Sequence, residues 1–244
     1  MNELEQINVA WDRIEAWLGR HAPRTLYSLD DPVDEGVLRE AQRMLGLRFT
    51  PAIVASLRRH DGASAFLPME PPTSDEAVFF LPTGCRPLSV VEMMIGTYKL
   101  RSLEAEDGEG AAMWEHGFAP IAMDTTTNHC HFIDCRSTYE THGRLGTFTP
   151  ESGVEFTEPG GIGALFLAAA EALEAGKGRL IDRHGREVDE EDPGTVSFRE
   201  RALIWGEPRP PIPDVIEELD GPGGYGGYGG TGGTGGTGVP GEAA

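Results

Sequence analysis

The first part of the chain carries large apolar residues at helical spacing. Their recurrence every three or four positions predicts an amphipathic helix that begins near the amino terminus and ends at Pro23. The apolar positions of this first helix are Ile7, Trp11, Ile14, Trp17 and Leu18.

Two further helices are predicted by the same starting signal, an N-capping side chain followed directly by a proline. The second helix would begin at Asp31-Pro32 and end at Gly46, and the third would begin at Thr50-Pro51. The inward face of the second helix is predicted to consist of Val33, Val37, Ala41, Met44 and Leu45.

The pattern then changes to short apolar runs bounded by polar and turn residues, which is typical of strands. A helix interrupts the runs, and Ser89 and Glu92 at its start have the spacing of a capping box. The predicted strands are 77–81, 118–124, 129–135 and 145–150, and a last amphipathic helix is predicted at 162–175. This order predicts an α+β fold with N-terminal helices packed on a mostly antiparallel sheet and a closing C-terminal helix.

The composition of the chain divides it into three parts. Residues 1–178 are predicted to form the α+β domain, and residues 179–220 an acidic, proline-containing extension. Within the extension, a small hairpin is predicted around His184-Gly185, and 195–206 is interpreted as a short helix or strand. Residues 221–244 are repeats of Gly with Tyr or Thr, which cannot bury enough apolar surface to fold and predict a disordered tail.

The charge of the chain restricts its partners. The formal net charge is −20, from 20 basic and 40 acidic side chains. Such a surface repels nucleic acid and anionic membranes and favours a basic protein partner. Three cysteines make no disulfide framework, and the chain shows neither a secretory leader nor a membrane-spanning run, so we expect a cytoplasmic protein.

The segment TTTNHCHFIDC, residues 125–135, raises the question of a metal site. Zinc takes nitrogen and sulfur ligands that share one ion at about 2.0–2.3 Å. In a strand, His129 and His131 would share a face and Cys130 would point to the other, while Cys135 would lie about 13 Å beyond His131. These residues cannot close on one ion in an extended segment, although they could in a loop. Alternation favours the strand, because Cys130 and Phe132 would face one way and Ile133 and Cys135 the other, so the segment is interpreted as structural.

Other enzyme chemistry finds little support in the residues. A metal site in this segment would need distant ligands such as His116 or His142, and a thiol dyad could be drawn from Cys85, Cys130 or Cys135 with any histidine. No nucleophile elbow, phosphate-binding loop or zinc-protease motif is present. The sequence therefore predicts no catalytic, cofactor-binding or metal-binding residues and no cofactor.

Several stretches, taken in order, resemble the SUKH superfamily, the Smi–Knr group of α+β domains. They are WDRIEAWL, LDDPVDEGVLREAQRMLGLRFTPAIVASLRRHDG, FLPTGCRPLSVVEMM, WEHGFAPIAMDTTTNHCHFIDC and HGRLGTF, and together they span about residues 7–175. The resemblance implies that the matched residues determine the fold rather than contact a partner. These residues are Trp11, Gly46, Pro51, Gly62, Trp114 and Asp134.

The resemblance also implies a function. Bacterial members resemble immunity proteins that neutralise secreted toxins, often nucleases, whereas fungal relatives regulate cell-wall synthesis through protein contacts. We therefore expect a non-catalytic protein-binding module that acts as an immunity protein against a basic toxin domain. The alternatives are a regulatory or scaffolding protein with the tail as its tether, and a metal-dependent or thiol enzyme. The interface residues and the oligomeric state do not follow from the sequence.

Overall fold

A computed structural model describes residues 1–64, 80–106, 114–124, 127–156, 160–182, 185–188 and 196–205. The helices are α1 (Glu3–His21), α2 (Pro23–Tyr27), α3 (Glu35–Leu45), α4 (Pro51–Leu57), α5 (Val90–Glu106) and α6 (Ile162–Glu174), with a 3-10 helix at Phe198–Glu200. The strands are β1 (Arg86–Pro87), β2 (Phe118–Met123), β3 (Cys130–Asp134), β4 (Leu145–Thr149), β5 (Gly153–Phe156), β6 (Arg179–Ile181) and β7 (Ala202–Ile204).

The strands β1 to β5 form one sheet in chain order, and each neighbouring pair is antiparallel. Among the described residues, four helices precede the sheet, α5 packs on β2 and α3, and α6 packs on α1. The predicted α+β class, with N-terminal helices, an antiparallel sheet and a closing helix, is confirmed. None of the helices in the described part of the chain is long and apolar enough to cross a membrane.

The first helix has the predicted inward face, with one exception. Ile7, Trp11, Ile14 and Leu18 are buried, whereas Trp17 is only partly buried and stacks on His21 with ring centroids 4.7 Å apart. Pro23 does more than end this helix. It is the first residue of the short helix α2, a position where its missing N–H costs nothing.

The predicted start of the second long helix is wrong by three residues. Asp34, not Asp31, is the N-cap of α3, because its carboxylate accepts hydrogen bonds from the N–H groups of Gly36 (2.7 Å) and Val37 (3.1 Å). The inward face is also different, since Val37 and Met44 are exposed. The buried residues of α3 are Leu38, Ala41 and Leu45.

Two other predicted helix starts are confirmed. The Thr50 hydroxyl accepts from the N–H of Ile53 at 3.3 Å, and Pro51 is the first residue of α4. At the start of α5, the N–H of Ser89 donates to the Glu92 carboxylate (3.0 Å) and the N–H of Glu92 donates to the Ser89 hydroxyl (3.2 Å). This is the capping box that the spacing predicts.

The strands β2, β3 and β4 occupy the predicted segments, but the sheet edges were not foreseen. Residues 77–79 of the predicted strand 77–81 lie outside the described residues, and Phe80 and Leu81 are buried but not in a strand. The strand at that edge is β1, which pairs Arg86 with Met123. At the other edge, β5 follows the turn at 150–152, and the sequence pattern predicts no strand there.

The segment after Gly178 belongs to the same compact unit, which spans Met1–Pro211. Strands β6 and β7 form a two-stranded antiparallel sheet, and Leu203 is buried in the main core. The N–H of Leu203 donates to the Thr25 hydroxyl at 2.8 Å, which ties the β6–β7 sheet to α2. The predicted boundary at Gly178 therefore does not end the folded unit. His184 and residues 206–244, including the predicted tail, lie outside the described residues.

Candidate functional site

The central strand β3 confirms the interpretation of the segment HCHFIDC as part of a sheet. All five residues of β3 are buried, and they pair with β2 on one side and β4 on the other. Thr125 and Thr126 lie outside the described residues.

Histidines 129 and 131 lie side by side, as strand alternation predicts. Their ring centroids are 5.5 Å apart. The described residues contain one group of three or more potential ligands, and it comprises Cys85, His129 and His131. One ligand atom from each of the three lies within 4.8 Å of the other two. His116, Cys130, Cys135 and His142 are not in this group.

Cys85 reaches the two histidines through the sheet. It directly precedes β1, where Arg86 pairs with Met123, and Met123 pairs in turn with Cys130. The Cys85 thiol therefore lies beside the start of β3, and it donates to the carbonyl oxygen of His129 at 3.8 Å. Sequence reasoning missed this third residue because β1 was not predicted and because 44 positions separate Cys85 from His129.

His131 is buried without a protein partner. Its exposed fraction is 4 %, and neither ring nitrogen forms a hydrogen bond within the described part of the chain. Burial, with a smaller contribution from His129, lowers the pKa of His131 to about 4. The imidazole is therefore neutral at neutral pH and keeps a nitrogen lone pair.

The three thiols are poor nucleophiles in the free protein. Burial raises the pKa of Cys85 to about 11 and that of Cys135 to about 12, and it raises the pKa of Cys130 as well. A thiol nucleophile reacts as the thiolate. These values give no support to a thiol dyad, because each cysteine stays protonated at neutral pH.

Asp134, at the end of β3, is a second buried polar residue, and both of its carboxylate oxygens accept hydrogen bonds. Its carboxylate accepts from the Arg136 Nε and N–H (both 2.9 Å), the Arg136 Nη2 (2.7 Å) and the Thr141 hydroxyl (2.5 Å). Burial alone would raise the pKa of Asp134, but the hydrogen bonds from Arg136 and Thr141 hold it below its usual value. The site stabilises the strand end and offers no open group to a ligand.

The residues that the family resemblance marks as fold-determining all have structural roles. Trp11 and Trp114 are buried, and Pro51 begins α4. Gly46 caps α3 at a φ of 65°, a backbone conformation that other residues adopt with strain. Gly62 has a φ of 84°, and a Cβ there would lie 2.3 Å from the backbone nitrogen of Ser89.

A groove of about 730 Å³ lies between α3, α4 and the segment that follows β3. Its lining combines apolar side chains such as Leu38 and Phe49 with the basic residues Arg39, Arg48 and Arg58. Arg58 forms an ion pair with Glu35 at 2.6 Å. A lining with this many arginines suits an acidic group better than the basic partner that the net charge favours.

Helix α5 carries apolar residues on both of its faces. Met93 and Leu100 are buried, whereas Val91, Ile95 and Tyr98 are exposed at i, i+4 and i+7, with Ile95 59 % exposed. These three residues, together with the exposed Met44 of α3, are named the α5 stripe. The Tyr98 hydroxyl donates to the Met44 carbonyl at 3.4 Å, which places the two helices side by side in this surface.

Comparison of the chain with models of known protein families and with curated proteins returned no match.

Proposed function

We propose that this protein is a non-catalytic protein-binding module, an immunity-type protein that docks on a basic toxin domain in the cytoplasm and blocks its activity. The observation that carries the proposal is the α5 stripe. The order of sequence motifs that resembles the SUKH superfamily supports the same function.

The apolar character of α5 favours a partner on its outer face. A helix of a monomeric domain normally places its apolar residues toward the core and polar residues toward water. Val91, Ile95 and Tyr98 break this rule on consecutive turns of the helix. Aromatic residues and methionine are enriched in the centres of protein interfaces, and the α5 stripe contains one of each, Tyr98 and Met44.

The charge of the protein selects the partner. A protein of net charge −20 attracts basic domains at long range and accelerates their association. A nuclease toxin presents a basic cleft because it must bind nucleic-acid phosphates. The long-range attraction brings the two proteins together, and the apolar contact of the α5 stripe stabilises the complex that they form.

The proposal is tested by capture from the source cells with three full-length proteins: the wild type, Ile95→Glu and Val9→Glu. Val9 is 40 % exposed on α1, a helix that contributes no residue to the stripe, and so it serves as the matched control. Partners are identified by mass spectrometry, and each is then purified and assayed with and without the protein.

A basic toxin that is inhibited in a one-to-one complex is the expected partner. Ile95→Glu should weaken its binding at least tenfold, since a charge enters the apolar contact, and Val9→Glu should leave it unchanged. The association rate should fall as the salt concentration rises. Equal binding by both variants, or binding insensitive to salt, would contradict the proposal.

The regulatory alternative makes the opposite prediction for the tail. A version that ends at Pro211 keeps the whole compact unit, including the β6–β7 sheet, whereas a version that ends at Gly178 would remove the buried Leu203. An immunity protein should retain its partner after truncation at Pro211. A housekeeping or envelope-synthesis partner that is lost with the tail would support the scaffolding function instead.

A further inference from the structure

His131 is a buried polar residue that the described protein groups leave unpaired. It lies in the central strand, and both of its ring nitrogens are enclosed and without a hydrogen-bond partner among the described residues. Buried polar side chains in native proteins are almost always paired with protein, water or an ion. A buried imidazole in this condition therefore indicates a ligand.

The neighbours of His131 identify the class of that ligand. His129 precedes β3 and is partly buried, and Cys85 is fully buried beside it. Ligand atoms of the three residues lie within 4.8 Å of one another. Imidazole nitrogen and cysteine sulfur are the ligands that zinc prefers, whereas magnesium and calcium require oxygen ligands.

We propose that Cys85, His129 and His131 bind one Zn²⁺ ion through Sγ and one nitrogen of each ring, with water as the fourth ligand. Zinc–nitrogen and zinc–sulfur bonds of about 2.0 and 2.3 Å place neighbouring ligands of a tetrahedron roughly 3.3–3.6 Å apart. Because the ligand atoms lie within 4.8 Å of one another, the cluster reaches this spacing by a contraction of at most about 1.5 Å.

Zinc binding at this position exchanges one bond for another without a redox step. The Cys85 S–H bond is replaced by a Zn–S bond and the proton goes to solvent, while each imidazole binds through a nitrogen lone pair. The ion would join the residue before edge strand β1 to central strand β3. The site is separate from the α5 stripe and does not depend on the proposed function.

The test uses the full-length protein. Its metal content is measured as purified, the metal is removed with a chelator, and zinc is titrated back in competition with a chromophoric chelator. One zinc ion per chain and a higher melting temperature on zinc addition are expected. Cobalt, as a spectroscopic substitute, should show a thiolate-to-metal charge-transfer band.

Variants assign the ligands. Cys85→Ser and His129→Gln should each weaken zinc binding by about 100-fold or more, since even outer-shell changes cost 10- to 100-fold. Cys135→Ser is the matched control, because this buried thiol lies at the far end of the same strand and should leave the affinity unchanged. His129 is only partly buried, so its variant decides the matter if Cys85→Ser does not fold.

Three results would overturn the proposal. The first is a wild-type protein that binds zinc no more tightly than Cys85→Ser and His129→Gln do. The second is a cobalt spectrum without the thiolate band, and the third is copper rather than zinc in the protein as purified.

Discussion

The two ends of strand β3 bury polar side chains in opposite ways. At one end, Asp134 is completely buried and accepts four hydrogen bonds from Arg136 and Thr141. At the other end, His131 is almost as deeply buried and has no hydrogen-bond partner among the described residues. The strand therefore joins a polar site that the protein completes by itself to one that it leaves for a ligand.

The difference follows from where the partners lie in the chain. Arg136 and Thr141 come two and seven residues after Asp134, so the turn that follows β3 brings them to the carboxylate. The Arg136 guanidinium also lies over the rings of Phe118 (4.6 Å) and Tyr139 (3.9 Å), which hold it in place. His131 has only His129 nearby in sequence, and its other neighbour, Cys85, arrives through the sheet.

The largest expected effect on stability comes from Asp134, the buried residue whose hydrogen bonds the protein supplies itself. Asp134→Ala should lower the free energy of unfolding by about 3–5 kcal/mol, because it takes from the largely buried Arg136 guanidinium its buried carboxylate partner and leaves it only the half-exposed Glu115. Urea unfolding measures the change. Glu115→Gln is the control, since this half-exposed partner of Arg136 should contribute about 1 kcal/mol or less. Equal losses in the two variants would show that Asp134 does not hold the strand end.

In chelator-treated protein, His131 and Asp134, at the two ends of β3, should affect stability in different pH ranges. His131 has a pKa of about 4 in the folded state, against about 6.5 when unfolded. The unfolded chain therefore binds the proton first, and the free energy of unfolding decreases as pH falls from about 6.5 to 4, by at most about 1.4 kcal/mol per pH unit. The contribution of Asp134, whose pKa is lowered, is lost only below about pH 4.

The comparison of wild type with His131→Leu isolates this effect. Asp30, whose pKa burial and the Asp61 carboxylate raise to about 6, contributes a slope of opposite sign, since its stabilising protonated form is lost as pH rises. Asp30 is present in both proteins, so its slope cancels in the difference. Identical pH profiles from urea unfolding would contradict the prediction for His131.

An intermediate effect is expected in the middle of the strand. Gly146 of β4 pairs with Phe132 of β3, and a Cβ at Gly146 would lie 2.2 Å from the Phe132 ring. Gly146→Ala should therefore lower the free energy of unfolding by about 1–3 kcal/mol through overpacking. Gly19→Ala is the control, because a Cβ there would make an ordinary contact of 3.6 Å. If Gly146→Ala left the free energy of unfolding unchanged, the Phe132 ring would have to move aside without cost.

The smallest expected effect is an increase in stability rather than a loss. His131→Leu should raise the stability of chelator-treated protein by about 1 kcal/mol at pH 8, because it removes a buried polar group that lacks a partner. The same variant should abolish the stabilisation by zinc. Thermal unfolding with and without zinc measures both, and a destabilised metal-free variant would show that His131 already has a protein partner.

Much of the fold could be predicted from the sequence because its signals are local. Thr50-Pro51 and the Ser89–Glu92 capping box mark helix starts through bonds within four residues. Strand alternation likewise places His129 beside His131 whatever lies around them. The class of fold and two of the three residues of the candidate zinc site depend on signals of this kind.

Other features depend on contacts between distant segments. Leu38 rather than Val37 faces inward on α3 because the packing of the domain selects one of two neighbouring apolar stripes. Leu203 is buried because the β6–β7 sheet packs on α2, although the composition after Gly178 predicts a separate extension. Neither choice is encoded in the residues next to it.

The sequence by itself thus determined the α+β order of elements, the strand character of the His129–Cys135 region and the net charge of −20. Only the tertiary structure decided that Cys85 joins the two histidines and that Val91, Ile95 and Tyr98 remain outside the core. The physical reason is the range of the interactions. Caps and alternation act within a few residues, whereas strand pairing and helix packing bring together residues that the chain separates by dozens of positions.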